Sequence, residues 1–188
     1  MQEFSSEWMF SLFVFIVPAF IANSSPVYLN PVDRKTGITK GAPIDGGMKF
    51  VDGKRIFGDG KSWEGFIGGI LAGTLAGAII GFLNLIPLGF SLDQWILVSF
   101  FLSLGAIVGD LLGSFVKRRL ALERGGPFPF FDQLGFVILS LAFASIAAPQ
   151  VGYSVGANGF LFLLFLSYGS HVVFNQLAFR LGLKSVPW

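Results

Sequence analysis

Gly109-Asp110-Leu111-Leu112-Gly113-Ser114-Phe115-Val116-Lys117-Arg118-Arg119 is the stretch that decides the fold. It closes an apolar run that begins near Gln94 and ends it on three consecutive cations. A run over 94–116 suffices to cross a hydrocarbon core of about 30 Å, which takes roughly 20 apolar residues as a helix. Cations at one end of such a run mark its cytoplasmic end. Inside the run sits a carboxylate, Asp110. A carboxylate in lipid is costly, so it ordinarily faces a partner or a cavity and is a functional candidate. A second carboxylate, Asp132, stands where the next apolar run begins at Phe131.

Working outward, four more apolar runs appear: 8–29 (interrupted by Asn23-Ser24-Ser25-Pro26), 66–88, 131–151 and 159–179. They predict an all-α integral membrane protein with five transmembrane helices. The composition agrees: 53% of the residues are hydrophobic and only 13% charged, where a soluble domain carries about a quarter. No Cys is present, which excludes disulfides, thiolate chemistry and Cys metal sites, and the sole His excludes a multi-His metal centre. Glu3 and Glu7 precede the first run without a Lys or Arg. A signal peptide needs a basic start, so this run is expected to be a retained span. Neither an internal repeat nor a linker is visible, so 1–188 reads as one domain.

All thirteen Lys and Arg fall in three places: the loop 30–65, the loop 117–130 and the tail beyond Phe179. The N-terminus, 89–93 and 152–158 carry none. The basic loops are therefore expected in the cytoplasm, with the N-terminus outside and the C-terminus inside. The second run carries Gly65, Gly69, Gly73, Gly77 and Gly81. A step of four advances about 40° around a helix, giving a smooth stripe suited to close helix packing. The loop 30–65 is dense in turn residues and predicts an ordered cytoplasmic cap. Within it, Asp52-Gly53 lies between Lys49-Phe50-Val51 and Lys54-Arg55-Ile56, which suggests a hairpin with a type I′ turn.

The chemistry-bearing residues gather around the opening stretch. Asp110, Ser114 and Lys117 share one helix face, and Asp110 lies about 10 Å along the axis from Lys117. A hard cation such as Mg²⁺ takes oxygen ligands, commonly one or two carboxylates plus substrate phosphates. Asp110 and Asp132 suit that role. Lys117 and Arg118 suit phosphate, Arg as a planar fork and Lys as a point charge, while topology alone accounts for Arg119 and Arg124. The alternatives are an intrahelical Asp110–Lys117 pair and Asp132 as a helix cap. Gly58-Asp59-Gly60-Lys61-Ser62 lacks the full P-loop spacing. Its Gly-rich backbone before a helix N-terminus still offers phosphate donors, with Lys61 adding charge; a plain helix cap is the other reading. Pro26 removes a backbone bond, and the polar residues Asn23 to Ser25 can satisfy the freed groups or line a cavity. His171 and Asn175 share a face and read as interhelical hydrogen-bonding groups.

Taken in order, several pieces resemble the archaeal CDP-archaeol synthases, relatives of the bacterial CDP-diacylglycerol synthases. They are Asn23 to Pro26, Pro43-Ile44-Asp45 with Gly47, Asp52 to Gly58, Lys61-Ser62-Trp63-Glu64-Gly65, Gly109 to Arg119, and Asp132-Gln133-Leu134. The resemblance implies cytidylyl transfer from CTP to an isoprenoid ether-lipid phosphate, 2,3-di-O-geranylgeranylglycerol 1-phosphate, with Mg²⁺ held by Asp110 and Asp132. Under it Lys117 is catalytic, and Lys61, Ser62, Ser114, Lys117, Arg118, Asp45 and Arg55 serve nucleotide binding. Asp45 and Asp52 are candidates for the cytosine amino group or ribose. The partners implied are CTP and membrane lipid, not nucleic acid, at a multi-pass site in the cell membrane that faces the cytoplasm. Two departures stand out: Ser62 replaces an expected Thr, and Gly135 replaces an expected Asp. The rival functions are a CTP-dependent polyprenol- or dolichol-type lipid kinase and a small membrane transporter.

Overall fold

A computed structural model describes residues 4–36, 41–122 and 128–182, with the backbone alone for 26–36, 129, 130, 153 and 178. The helices are α1 (Ser6–Thr36), α2 (Trp63–Phe82), α3 (Leu92–Arg119), α4 (Pro129–Ala147) and α5 (Gln150–Arg180), with a 3₁₀ turn at Pro87–Gly89. Among the described residues there is no strand, only the isolated bridges Pro43 to Ser62 and Lys49 to Arg55. The protein is an all-helical membrane protein. Ser6–Ser25, Trp63–Phe82, Leu92–Arg119 and Ser154–Leu177 are long and apolar enough to cross a membrane; Phe131–Ala147 is shorter.

Several helix ends differ from the sequence expectation, each for a local reason. Asn23 to Pro26 do not interrupt α1, which runs on to Thr36. Pro26 has no N–H for the Ala22 carbonyl, and the Ser25 hydroxyl donates to that carbonyl instead, at 3.1 Å. The loop that follows is accordingly shorter than 30–65. At its far end, α2 stops at Phe82 rather than Leu88, because Asn84 turns left-handed (φ 56°) and its N–H and that of Leu85 close back on the carbonyls of Gly81 and Ile80 at 3.0 and 3.1 Å. Residues 152–158 are not an outer loop. Pro149 opens a short helical turn directly after α4, and Gly156 (φ 62°, ψ 178°) is non-helical and separates that turn from the long remainder of α5.

The glycine stripe of α2 is buried along its whole length. A Cβ at Gly69 would meet Ile107, at Gly73 Ser103 and the Pro18 carbonyl, at Gly77 Ser99, and at Gly81 Leu92 and Trp95. Each step of four up α2 matches a step of four down α3, so the two helices are antiparallel with α1 against the same seam. Trp95 is fully buried there and donates Nε1–H to the Gly77 carbonyl at 2.8 Å. A second seam joins α3 to α4. A Cβ at Gly105 would meet Leu139 and Ser140, at Gly109 Gly135 and Phe136, and at Gly113 Phe131. The step is again four and the sense antiparallel. Both seams fix α3 axially between its neighbours and bring the start of α2, the end of α3 and the start of α4 to one end of the bundle.

Segment 41–62 folds over that end. The turn within it differs from type I′. Gly53 N–H donates to Phe50 O at 2.9 Å and Phe50 N–H to Lys54 O at 2.8 Å. The turn therefore centres on Val51-Asp52, and Gly53 (φ 76°) takes the left-handed position after it. That is a three-residue hairpin loop with a glycine bulge.

Candidate active site

Two crossed ion pairs define the site. Lys61, just ahead of α2, pairs with Asp110 of α3. Lys117, near the end of α3, pairs with Asp132 in the first turn of α4 at 2.5 Å. Asp110 and Lys117 share a face of α3 yet form no pair with each other, so that alternative fails. The α3–α4 register sets Asp132 level with Leu112, two residues or about 3 Å along the axis from Asp110. The two carboxylates thus lie at similar depth, each charge-compensated by a lysine from another element. All four side chains are partly exposed.

Beside Asp110 is a cavity of about 20 Å³, lined by Ile44, Gly60, Lys61, Ser62, Phe66 and Asp110 among others. It holds about one water. Ser62 is buried and its hydroxyl accepts from Gly65 N–H at 3.2 Å, capping α2. The cap reading therefore holds for Ser62, which meets the cavity as part of its wall. Ser114 stands one turn beyond Asp110 toward Lys117 and is half-buried. Arg118 lies against Gly58, and its Nε is buried without a hydrogen-bond partner.

Asp45 and Arg55 face each other, not this cavity. The Asp45 carboxylate is fully buried and accepts from Arg55 Nη2 at 2.6 Å and Nε at 3.3 Å. It also accepts from Gly47, Phe57 and Gly58 N–H at 3.1, 3.0 and 3.0 Å. Burial alone raises its pKa, but Arg55 and these amides outweigh that and hold the carboxyl well below the usual carboxylate range. Asp45, helped by Asp59, in turn raises the Arg55 pKa further. With its lone pairs so engaged, Asp45 frames the loop and is not free for cytosine. Asp52 is likewise engaged, 3.2 Å from Arg119. Arg124 lies outside the described residues. His171 packs its ring against Phe136, in keeping with an interhelical role.

Two functional candidates escaped the sequence reading. Glu64 Oε2, in the first turn of α2, and Gln133 Oε1, beside Asp132, are buried oxygens without a hydrogen-bond partner. The only signal was their place inside the quoted motifs. The two carboxylates, Asp110 and Asp132, are the hard oxygen donors that suit a divalent cation. Among the described residues no three His, Asp or Glu side chains converge. Such a cation would take its remaining ligands from water and phosphate, the ordinary pattern for magnesium. Next to the site, between α3 and α4, runs an apolar groove of about 240 Å³ lined by Gly109, Leu112, Phe131, Leu134, Gly135 and Ile138 among others.

A family model described as CarS-like, CDP-archaeol synthase, matches residues 6–188. The chain belongs to the CDP-archaeol synthase family. It is an enzyme, a membrane nucleotidyltransferase. CDP-archaeol synthase of Thermococcus gammatolerans is 46% identical over 180 residues, covering 96% of each chain. That of Thermococcus kodakarensis is 44% identical over 184 residues, covering 96% of this chain and 99% of its own. A solved structure, described as an intramembrane enzyme for archaeal membrane lipids biosynthesis, is 35% identical. It matches with a TM-score of 0.59 over 83% of this chain and 90% of its own. Membership of the CDP-archaeol synthase family thus spans both ion pairs and the groove between α3 and α4.

Proposed function

We propose that the protein transfers the cytidylyl group of CTP to 2,3-di-O-geranylgeranylglycerol 1-phosphate, giving CDP-archaeol and pyrophosphate. The crossed pairs Lys61–Asp110 and Lys117–Asp132 carry the reading. They set two carboxylates and two ammonium groups at one end of the bundle, beside an apolar groove. A metal-bound triphosphate has the complementary charges: its anionic oxygens suit the lysines, and its cation suits the carboxylates.

The lipid phosphate is itself an anionic nucleophile, so attack at the α-phosphorus needs no general base; positioning and charge neutralisation do most of the work. Lys61, Lys117 and Arg118 hold phosphate oxygens through charge-assisted hydrogen bonds. Ser114 offers a hydroxyl between Asp110 and Lys117, and the backbone of Gly58 to Ser62 borders the nucleotide. Asp110 and Asp132 would hold Mg²⁺, which would supply charge neutralisation of the triphosphate. Asp45 and Arg55 act as the frame that keeps Lys61 in place. The groove along Leu112, Phe131 and Ile138 takes an isoprenoid chain while the headgroup stays at the charged end.

The topology proposed is five crossings with the N-terminus outside and the site facing the cytoplasm. The one-sided distribution of Lys and Arg supports it. So does the antiparallel register of α4, which follows α3 from Gly113 to Gly105. The test is direct. Purified protein in nanodiscs receives CTP, Mg²⁺ and the lipid phosphate, and the lipid product is weighed by mass spectrometry. A CDP-lipid with released pyrophosphate is expected. A product carrying one added phosphate, with released nucleoside diphosphate, overturns the reading in favour of a kinase.

A further inference from the structure

We infer that Arg119 is a positioning residue for this reaction: it latches segment 41–62 to the end of α3 and so sets Lys61 against Asp110. The inference rests on the site reading above. Topology alone would ask only for a cation at the end of α3, and a solvated one would serve. Arg119 is not solvated. Its side chain is 18% exposed and its Nε is buried. One face of its guanidinium packs on Phe115 of its own helix, 4.8 Å from the ring centre, and it also lies 4.9 Å from the ring centre of Phe50 in the loop. Its Nη2 donates to the carbonyls of Arg55 and Lys54, and its Nη1 lies 3.2 Å from Asp52 Oδ1 as an ion pair without a hydrogen bond. Lys54 completes the clasp, donating from Nζ to the Arg119 carbonyl at 3.0 Å. That carbonyl is one a helix end leaves without an intrahelical partner.

The clasp reaches the site through short links. Arg55, whose carbonyl Arg119 holds, is tied by its own guanidinium to Asp45 and Asp59. Lys61 N–H donates to Gly58 O at 3.2 Å, and Ile44 N–H to Lys61 O at 2.9 Å. The backbone carrying Lys61 is therefore held by the framework that Arg119 fastens. The clasp needs a guanidinium. Its flat guanidinium lies over two aromatic rings while Nη2 reaches two carbonyls and the charge faces Asp52, and an ammonium has no such face to stack.

Arg119→Lys keeps the charge and removes the fork, so it separates the latch from a topology signal. The chain has no cysteine, and Val51 is 94% exposed at the hairpin tip. Val51→Cys therefore takes a single nitroxide label. In Arg119→Lys the label is expected to become mobile. The kcat/KM for CTP is expected to fall at least tenfold, with KM for the lipid phosphate within twofold of the parent. Phe50→Leu, which removes one aromatic face from the loop side, shifts both readouts the same way by less. Wild-type kcat/KM in Arg119→Lys overturns the inference, whether or not the label moves. Lost activity with an immobile label overturns it too, because Arg119 would then act on the substrate directly. If the parent makes no CDP-lipid, the site reading fails, and the label alone still reports the latch.

Discussion

Replacing Asp45 by Asn keeps the shape of the side chain and removes its charge, which isolates what the buried carboxylate does. Oδ2 accepts from Arg55 Nε, Phe57 N–H and Gly58 N–H, and Oδ1 from Arg55 Nη2 and Gly47 N–H. An amide can satisfy only one of these sets. The better orientation keeps the three Oδ2 bonds and turns an NH₂ toward the Gly47 and Arg55 donors. Two charge-assisted bonds are lost, at about 1.5–3 kcal/mol each. A loss of about 3 kcal/mol corresponds to roughly a hundredfold increase in local opening of the segment. Hydrogen exchange by mass spectrometry, on the protein in nanodiscs, measures this directly. Peptides covering 43–62 should exchange about a hundredfold faster in Asp45→Asn, at the lower bond value, while α2 and α3 peptides stay unchanged. Exchange within threefold of the parent would refute the framing role. The pH dependence follows from the sign of the shift. The folded pKa is lowered from 3.8, so the stabilisation is complete above about that value and is lost as pH falls below it. Segment protection in the parent should therefore be flat from neutral pH down to about 5 and decline only below 4.

Gly73→Ala places a Cβ 2.4 Å from the Pro18 carbonyl and 2.3 Å from Ser103 Oγ. It should lower the melting temperature in detergent by several degrees or abolish folding, whereas Gly152→Ala, with nothing within 4 Å, should leave it unchanged; differential scanning fluorimetry reads both. Asp110→Asn and Asp132→Asn should each cut CTP-dependent labelling of the lipid phosphate at least a hundredfold, or about 2.7 kcal/mol in transition-state binding, with size-exclusion profiles intact. Full activity in either variant would remove that carboxylate from the mechanism. Gly135→Leu projects a side chain into the groove where a Cβ meets only Gly109 O, at 3.9 Å. It should raise KM for the long-chain lipid phosphate about tenfold and leave KM for CTP alone, since one filled isoprenoid-sized subsite is worth about 1–3 kcal/mol. An unchanged lipid KM would place the chain elsewhere.

What the sequence disclosed was what repeats along one element. Gly65 to Gly81 recur every four residues, so a packing seam was legible before its partner was known, and α3 duly meets it in the same step. Asp110, Ser114 and Lys117 share a face for the same reason. Pairings between elements were not legible. The spacing left an Asp110–Lys117 pair as the alternative to a metal site, but each found its partner on another element, Lys61 and Asp132. Asp45 reads as a free loop acid until Gly47, Arg55, Phe57 and Gly58 close around it. Arg119 reads as a topology charge because the Phe50 and Asp52 that enclose it come from a distant part of the chain. Helix ends were misread where one residue decides them locally. Asn84 in its left-handed conformation ends α2 at Phe82, whereas the Ser25 hydroxyl satisfies the carbonyl that Pro26 frees, as the polar residues there suggested.

The crossed pairing has an energetic logic that neither pair shows alone. A carboxylate at a membrane edge loses much of its hydration, and leaving it unpaired there is costly. Asp110 and Asp132 avoid that cost through lysines drawn from other elements, so neither lysine is fixed to the backbone of the acid it compensates. Exchange of partners is then possible without moving a helix. Lys61 belongs to a segment fastened by Arg119 and Asp45, and Lys117 extends from the rigid α3. Under the proposed function, an anion arriving with its own cation would let both lysines and both carboxylates trade partners, each charge keeping an opposite neighbour. The low-dielectric surroundings that make an unpaired charge expensive also strengthen each new contact. On this account the two glycine seams serve the chemistry. They hold the three helix ends in register so that the exchange is a motion of side chains alone.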